Sequence, residues 1–233
     1  MTAQDELKRR AAERAVEFVR DGMVVGLGTG STARHVVEVL AERVRSGALR
    51  DVVGVPTSRA TERHAREVGI PLATLDDEPR LDLAIDGADE VDPNLDLIKG
   101  LGGALLWEKI VATASDQLVI VVDSGKLVDR LGRRSPVPVE VVPFGWTTHV
   151  EYVELLGARP TLRRSADGEP FRTDSGNYIL DCAFDDGLTD AARIEREFQQ
   201  RVGIIESGLF LGMADFVVVG DHDGVRVLRA EAQ

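Results

Sequence analysis

The sequence predicts an α/β fold in which a parallel sheet domain carries a smaller inserted α+β domain. Short apolar runs alternate with segments of helical periodicity up to about Lys126, and glycine-rich loops follow several of these runs. The pattern then changes near Ser135-Pro-Val-Pro138. Regular alternation favours right-handed βαβ units on a parallel sheet. We therefore expect residues 1–135 and 211–233 to form the main domain, and residues 136–210 to form the inserted domain.

The main domain is predicted to begin with a helix over residues 3–20, because its apolar residues recur at helical spacing. The predicted strands that follow are 23–27, 51–55, 70–75, 81–85 and 117–122, and the predicted helices are 33–46, 57–68 and 104–112. Strands that alternate with helices in this way indicate a Rossmann-like sheet.

The inserted domain is predicted to be a mixture of strands and helices. Its predicted strands are 139–142, 159–164 and 177–183, its predicted helices are 147–156 and 190–200, and an apolar segment follows at 204–210. Beyond it, strands 216–219 and 225–228 flank the turn Asp221-His-Asp-Gly224. We expect this terminal hairpin to return to the main sheet.

Composition argues against several classes of protein. A net charge of −12 disfavours nucleic acid, which requires basic patches. No apolar run approaches the ~20 residues of a membrane span, and the charged N-terminal segment lacks an apolar signal core, so we expect a cytoplasmic protein. The single Cys182 and four scattered histidines predict neither a disulfide nor a metal cluster.

The segment from Asp86 to Lys109 has the composition of an active site. Asp86 follows the apolar run 81–85, so it falls where open α/β sheets bind their ligands. Asp89, Lys99 and a glycine loop follow, and Glu108 lies on the predicted helix after the loop, all within 24 residues. An acidic surface turn beside an ordinary loop is the simpler alternative, but the apolar elements on both sides favour function.

A second glycine loop, Gly28-Thr-Gly-Ser-Thr32, separates a predicted strand from a helix. Its N–H groups and hydroxyls can bind an anion at the helix N-terminus, although a tight turn with Ser31 or Thr32 as N-cap is also compatible. A dinucleotide site is disfavoured because the second strand ends in Pro56-Thr57-Ser58, without the acidic residue that holds ribose. No Walker loop is present. A phosphorylated small molecule is the best ligand class.

With these motifs in place, the sequence closely resembles the A-type ribose-5-phosphate isomerases. The matching segments, in order and spacing, are Gly28-Thr-Gly-Ser-Thr32, Asp86-Gly-Ala-Asp-Glu90, Lys99 through Glu108-Lys109, and Val137-Pro-Val-Glu-Val-Val-Pro143. The likeness extends over nearly the full length. It implies an enzyme that interconverts D-ribose 5-phosphate and D-ribulose 5-phosphate in the non-oxidative pentose phosphate pathway. It further implies no metal, no cofactor, and a homodimer or homotetramer.

The resemblance also implies a role for each residue of the two motifs. Glu108 matches the catalytic base, Lys99 a stabiliser of developing negative charge, and Asp86 and Asp89 the residues that hold sugar hydroxyls and assist ring opening. The implied substrate-binding residues are Thr29, Gly30, Ser31, Thr32, Gly87, Ala88, Gly100, Leu101, Gly102 and Lys126, with Lys8 as a further phosphate ligand. Two residues depart from the common family pattern: Leu101 replaces a frequent Gly, and Trp107 a frequent Arg.

Two other classes of function remain open from the sequence. One is a sugar-phosphate sensor, although the chain has no basic patch and no spare N-terminal DNA-binding segment. The other is a deaminase or acyl-CoA transferase on a similar fold.

Overall fold

The alternating segments of the chain fold into the expected parallel sheet. The structure, a computed structural model, describes residues 3–230. Backbone proximity divides the chain into two compact units. The first unit contains the residues up to Ala88, Trp107–Lys126 and the residues from Met213 onwards, and the second contains Asp89–Leu106 and Leu127–Gly212. The domain boundaries at 1–135 with 211–233, and 136–210, remain a proposal about independently folding domains.

The helices and strands are named here in chain order. They are α1 (Ala3–Val16), β1 (Val24–Leu27), α2 (Ser31–Arg45), β2 (Val53–Pro56), α3 (Arg59–Val68), β3 (Leu83–Asp86), β4 (Glu90–Val91), β5 (Leu97–Ile98), α4 (Leu105–Thr113), β6 (Leu118–Asp123), β7 (Val137–Val141), α5 (Thr148–Leu155), β8 (Arg159–Leu162), β9 (Tyr178–Ala183), α6 (Ala191–Gln200), β10 (Ile204–Ser207), β11 (Leu209–Phe210), β12 (Phe216–Asp221) and β13 (Gly224–Arg229).

The first unit contains a six-stranded sheet in the order β13-β12-β6-β3-β1-β2. All neighbouring strands are parallel except β12 and β13, which form the predicted terminal hairpin beside β6. Every residue of β6 is buried, as expected for a central strand covered on both faces. The chain passes from β1 outward to β2 and returns on the other side of β1 as β3. This reversal is a switch point, where open α/β sheets bind ligands at the carboxyl ends of their strands.

The second unit contains two antiparallel sheets. Strands β10, β7, β9 and β8 form the larger one, in that order, and β11, β5 and β4 form the smaller one. Strand β7 is buried throughout, and its alternate residues Val137, Val139 and Val141 pack in one apolar cluster with Phe198 of α6 and Val153 of α5. The expected α+β architecture of this part of the chain is therefore confirmed.

Some of the predicted boundaries of helices and strands, and one predicted strand, were wrong. The first helix ends at Val16, because the next N–H groups bond three residues back in a tighter turn. The segment 70–75 is not a strand: Leu72 makes only an isolated bridge to Gly54, and Pro71 has no N–H to extend a ladder. The two-residue strands β4 and β5 were not predicted. Within residues 3–230, no helix is long and apolar enough to cross a membrane.

Candidate active site

The segment from Gly28 to Thr32 contains the connection between β1 and α2 and the first two residues of α2, at the switch point of the sheet. Gly30 is the N-cap of α2, with φ 106°, so the alternative of Ser31 or Thr32 as N-cap is wrong. No side chain of the described residues caps this helix end. The backbone N–H groups of the first turn carry the positive end of the helix dipole. Lys8 Nζ adds positive charge by donating to Ser31 Oγ at 3.0 Å.

Asp86 is the last residue of β3, and its carboxylate is held against the end of β1. The Gly28 N–H donates to the Ile85 carbonyl at 2.9 Å, which joins the two strand ends. The N–H groups of Thr29 and Gly87 donate to Asp86 Oδ1 at 3.0 and 2.7 Å. Asp86 is only 3% exposed. Its carboxylate therefore has a fixed orientation at the carboxyl edge of the parallel sheet.

The Thr29 side chain belongs to a cluster of hydroxyl groups that the sequence did not reveal. Thr29 Oγ1 lies 2.8 Å from both Thr57 Oγ1 and Ser58 Oγ, and 3.1 Å from Thr61 Oγ1. Ser58 is the N-cap of α3 and accepts from the Thr61 N–H. The signal in the sequence is the hydroxyl-rich run Thr57-Ser58-x-x-Thr61 after the second strand.

Glu108 lies in the first turn of α4 and is 5% exposed. The predicted helix is confirmed, and its lack of Gly and Pro explains why it forms. Farther along α4, Val111 packs tightly on β1: a Cβ atom at Gly26 would lie 2.5 Å from Val111 Cγ1. Gly26 therefore allows α4 to approach the sheet and fixes the helix that carries Glu108.

Lys126 ends a short 3-10 turn, Ser124–Lys126, directly after β6. Since β6 is the parallel neighbour of β3, Lys126 follows the same edge of the sheet as Asp86. The Gly125 N–H donates to Asp123 Oδ1 at 3.0 Å, which helps to define the turn. Lys126 is half-buried.

In the second unit, the glycine loop after β5 is held by Asp89. The Leu101 N–H donates to Asp89 Oδ2 at 2.9 Å. Gly100 and Gly103 have φ of 103° and 84°, whereas Leu101 and Gly102 do not have positive φ. A non-glycine residue at position 101 is therefore compatible with the loop. Of the two glycines that flank Leu101, only Gly100 has a positive φ, and the second positive φ of the loop lies at Gly103.

Arg163 of the second unit also fixes this loop. Its Nη1 donates to the carbonyls of Gly100 and Leu101 at 2.9 and 3.0 Å, and its Nε donates to Asp181 Oδ2 at 2.9 Å. Phe171 packs where a Cβ at Gly103 would lie, 2.5 Å from its ring. Arg163 and Phe171 come more than 60 residues after the loop, so no local pattern could have indicated them.

Lys99 is 3% exposed and begins the same loop. Its N–H donates to the Gly208 carbonyl at 2.9 Å, and its Nζ lies 5.4 Å from the centroid of the Phe210 ring, within cation–π distance. A lysine is rarely buried to this extent unless it is paired, and this burial holds its charge in a defined place. Lys99 therefore has the position and rigidity expected of a functional cation.

The remaining titratable groups are not arranged as a metal centre. Among the described residues, no group of three or more His, Cys, Asp or Glu side chains could hold a metal ion. Cys182 is a free, buried thiol whose pKa is raised by burial. The predicted site residues thus fall into two sets: Asp86, Glu108, Lys126 and the Gly28–Thr32 loop in the first unit, and Asp89, Lys99 and the Gly100–Gly102 loop in the second.

Comparison with known proteins identifies the family. The sequence model described as ribose 5-phosphate isomerase A (phosphoriboisomerase A) matches residues 53–224. The chain belongs to this family. The resemblance found in the sequence motifs is thereby confirmed.

Similarity within the ribose 5-phosphate isomerase A family extends over nearly the whole chain. The ribose-5-phosphate isomerase A of Gloeobacter violaceus is 56% identical over 229 residues, which cover 98% of this chain and 98% of that protein. Residues 28–32 precede the segment matched by the family model. The similarity to this relative, which covers 98% of the chain, extends beyond that segment.

Solved structures of the family share the fold. A D-ribose-5-phosphate isomerase in complex with phospho-erythronic acid has a TM-score of 0.95 at 42% identity, and the match covers 98% of this chain and 100% of that one. The ribose 5-phosphate isomerase from Plasmodium falciparum has a TM-score of 0.94 at 40% identity, with the same coverage. The predicted α/β fold is therefore confirmed.

Proposed function

We propose that this member of the ribose 5-phosphate isomerase A family interconverts D-ribose 5-phosphate and D-ribulose 5-phosphate. The observation that carries the proposal is the full-length match at 56% identity to a ribose-5-phosphate isomerase A. The reaction moves a proton between C1 and C2 of the sugar through an enediolate. One base can serve both carbons, and cationic or N–H donors stabilise the charge that develops on the oxygens.

Glu108 is the proposed base. It is a nearly buried carboxylate on a helix that packs against the parallel sheet, so its position is well defined. In the proposed mechanism, Glu108 removes the proton from one carbon and returns it to the neighbouring carbon. A rigid carboxylate is suited to this task because general base catalysis depends on the distance and orientation of the base.

Three further side chains are proposed to act on the sugar oxygens. Asp86 and Asp89 hold the hydroxyl groups and assist ring opening and proton transfer between oxygens. Lys99 stabilises the negative charge of the enediolate, together with backbone N–H groups of the Gly100–Gly102 loop. Both carboxylates accept hydrogen bonds from backbone N–H groups, which fix the positions of the carboxylate oxygens.

The phosphate group is proposed to bind at the N-terminus of α2. The backbone N–H groups of the first turn, which no side chain of the described residues caps, and the nearby ammonium group of Lys8 favour an anion there. The proposed substrate-binding residues are Thr29, Gly30, Ser31, Thr32, Gly87, Ala88, Gly100, Leu101, Gly102 and Lys126. The solved relative in complex with phospho-erythronic acid, a phosphorylated sugar acid, supports a ligand of this class.

The proposal is tested by adding ribose 5-phosphate to the purified protein and measuring ribulose 5-phosphate directly. Glu108→Gln purified in parallel controls for a contaminating host isomerase. Turnover by the wild-type protein, also after exhaustive chelation of metals, is the expected result. Binding of ribose 5-phosphate without turnover would favour the sensor alternative, and release of ammonia from a hexosamine phosphate would favour a deaminase. Either outcome would contradict the proposal.

We also propose a cytoplasmic homodimer or homotetramer. Light scattering coupled to gel filtration measures the mass of the assembly against the 25.3 kDa of one chain. A monomer at assay concentration would contradict this proposal.

A further inference from the structure

We propose that Thr61 is a positioning residue that acts on the reaction through Asp86, by fixing the peptide group between Gly28 and Thr29. The inference rests on the proposed function, because Asp86 is one of the carboxylates that act in the proposed mechanism. All of the residues involved lie in the first unit.

The two ends of one peptide group make the decisive contacts. Its carbonyl, that of Gly28, accepts a hydrogen bond from Thr61 Oγ1 at 2.9 Å. Its N–H, that of Thr29, donates to Asp86 Oδ1 at 3.0 Å. Because a peptide group is planar, the orientation of its carbonyl determines the orientation of its N–H. The Thr61 hydroxyl therefore fixes the orientation of the Thr29 N–H, which donates to Asp86.

The other hydroxyl groups of the cluster reinforce this arrangement. Thr57 Oγ1 donates to the Leu27 carbonyl at 2.9 Å, so its only proton points away from Thr29. The Thr61 proton is likewise committed to the Gly28 carbonyl. Thr29 Oγ1 donates to Ser58 Oγ at 2.8 Å, and Ser58 Oγ donates to Thr61 Oγ1 at 3.1 Å. The donated protons therefore run in one direction, from Thr29 through Ser58 and Thr61 to the Gly28 carbonyl. The cluster thus fixes three successive residues, 27 to 29, at the end of β1.

Thr29 has little hydrogen-bonding capacity left for a ligand. Its N–H is directed at Asp86, and its hydroxyl oxygen lies within 3.1 Å of three other hydroxyl oxygens. A direct contact with phosphate would have to replace one of these bonds. While these bonds are intact, Thr29 transmits the order of the cluster to Asp86, and the substrate contact proposed for Thr29 would exchange one of them.

Burial makes the Thr61 hydrogen bond important. Thr61 is 7% exposed, and the Gly28 carbonyl lies in a buried residue. If the hydroxyl is removed, the carbonyl loses its donor in a place where water cannot readily replace it. The peptide group can then rotate to find another partner, and its N–H turns away from Asp86. Small displacements of a reacting group can lower the rate by as much as ~10²-fold.

The test compares Thr61→Val, which keeps the side-chain shape, with Thr61→Ser, which keeps the hydroxyl. We expect Thr61→Val to lower kcat for ribose 5-phosphate by about 10- to 100-fold with little change in KM. We expect Thr61→Ser to retain most of the turnover. Thr148→Val is the matched control, because the Thr148 hydroxyl also donates to a glycine carbonyl, that of Gly145, at 2.8 Å. This control should leave kcat unchanged.

A double-mutant cycle with Asp86→Asn shows whether Thr61 acts through Asp86. If it does, Thr61→Val costs little further activity once the carboxylate is absent, and the two effects are strongly non-additive. Circular dichroism and thermal unfolding establish that each variant is folded. If Thr61→Val does not fold, Thr61→Ala replaces it, because the smaller side chain cannot crowd the Gly28 carbonyl.

The outcomes separate this inference from the proposed function. Additive effects, or equal losses in Thr61→Val and Thr61→Ser, would overturn the inference while the isomerase activity of the wild-type protein stands. A wild-type protein without isomerase activity, or Asp86→Asn with normal turnover, would instead overturn the role of Asp86 and the inference with it.

Discussion

The carboxylate of Asp86 occupies the space in which a Cβ atom on residue 28 would lie. An ideal Cβ built on Gly28 would overlap the Oδ1, Cγ and Cα atoms of Asp86. Gly28 does not have a positive φ, so its backbone conformation alone does not require glycine. The close approach of the strand ends β1 and β3 is what requires glycine here, and it brings the Thr29 N–H to the carboxylate.

The first prediction follows from this contact. Gly28→Ala should force Asp86 out of position and lower kcat by about 100-fold or more, because a misplaced reacting group costs this much. Steady-state kinetics on folded protein measures the loss. Gly54→Ala is the comparison: its new methyl group would meet the side chains of Leu27 and Leu72 rather than Asp86. It should lower the melting temperature but retain much more of the turnover. Equal losses of kcat would show that crowding at β1, and not displacement of Asp86, is responsible.

Glu108→Gln tests the proposed base. The amide keeps the size of the side chain but cannot accept the proton, so kcat should fall by about 10²–10⁴-fold, the usual contribution of a general base. Substrate should still bind, which calorimetry with ribose 5-phosphate measures. Turnover near the wild-type rate would place the base elsewhere, and Asp86 would be the next candidate.

Lys99→Arg tests whether the buried ammonium group is required in its particular form. The longer, planar guanidinium cannot reproduce a compact donor at a site that is 3% exposed and faces the Phe210 ring. One lost donor to a developing oxyanion typically costs ~10²–10³ in rate, and the retained charge gives partial compensation. We expect kcat to fall at least about tenfold. Lys109→Arg, at a half-buried position without a proposed role, should be much milder. Equal, small effects would remove Lys99 from the proposed catalytic set.

Leu101→Gly tests the departure from the common family pattern. Leu101 contacts Asp89 and Arg163 through its backbone N–H and carbonyl, and its side chain is 41% exposed. Glycine keeps both backbone contacts, so kcat should change little and KM only modestly. The kinetics are measured with ribose 5-phosphate over a range that brackets KM. Complete loss of activity in a folded variant would assign the leucine side chain a direct role.

Glu140 is expected to make stability depend on pH. It is fully buried, and its Oε1 accepts from Thr173 Oγ1 at 2.8 Å and Asn177 Nδ2 at 2.9 Å. Burial raises the pKa of this carboxyl, with a smaller contribution from Glu206. The folded state therefore binds the proton more tightly than the unfolded state. The resulting stability is present below the unfolded pKa and is lost as pH rises through the raised folded pKa.

Glu140→Gln removes this titration, so the variant should gain stability relative to the wild type as pH increases from 4 to 8. The gain amounts to about 1.4 kcal/mol for each unit by which the pKa is raised. Denaturant unfolding at several pH values measures it. Glu154→Gln, at an exposed position on α5, is the control and should show no such trend. A stability difference independent of pH would contradict the assignment to Glu140.

Local sequence patterns were sufficient for most elements because apolar periodicity and glycine turns act over short distances. The apolar run 117–122 predicts a buried strand, and Asp221-His-Asp-Gly224 predicts the turn of a hairpin. Both are present in the structure. The pairing of the short strands was harder to predict from the sequence. Strands β4 and β5 have two residues each and exist only because β5 pairs with β4 on one side and with β11 on the other. Such short strands have no periodicity to detect.

The sequence by itself determined the family, the parallel sheet and the chemical identity of the proposed catalytic groups, because these depend on residue types at fixed spacings along the chain. Only the tertiary structure showed what holds those groups in place. Thr61 reaches Gly28 across 33 residues, and Arg163 reaches Gly100 across 63. Both are hydrogen bonds to backbone carbonyls, which every residue carries. The acceptor therefore has no signature in the sequence, and the pairing is decided only when the folded chain brings donor and carbonyl together.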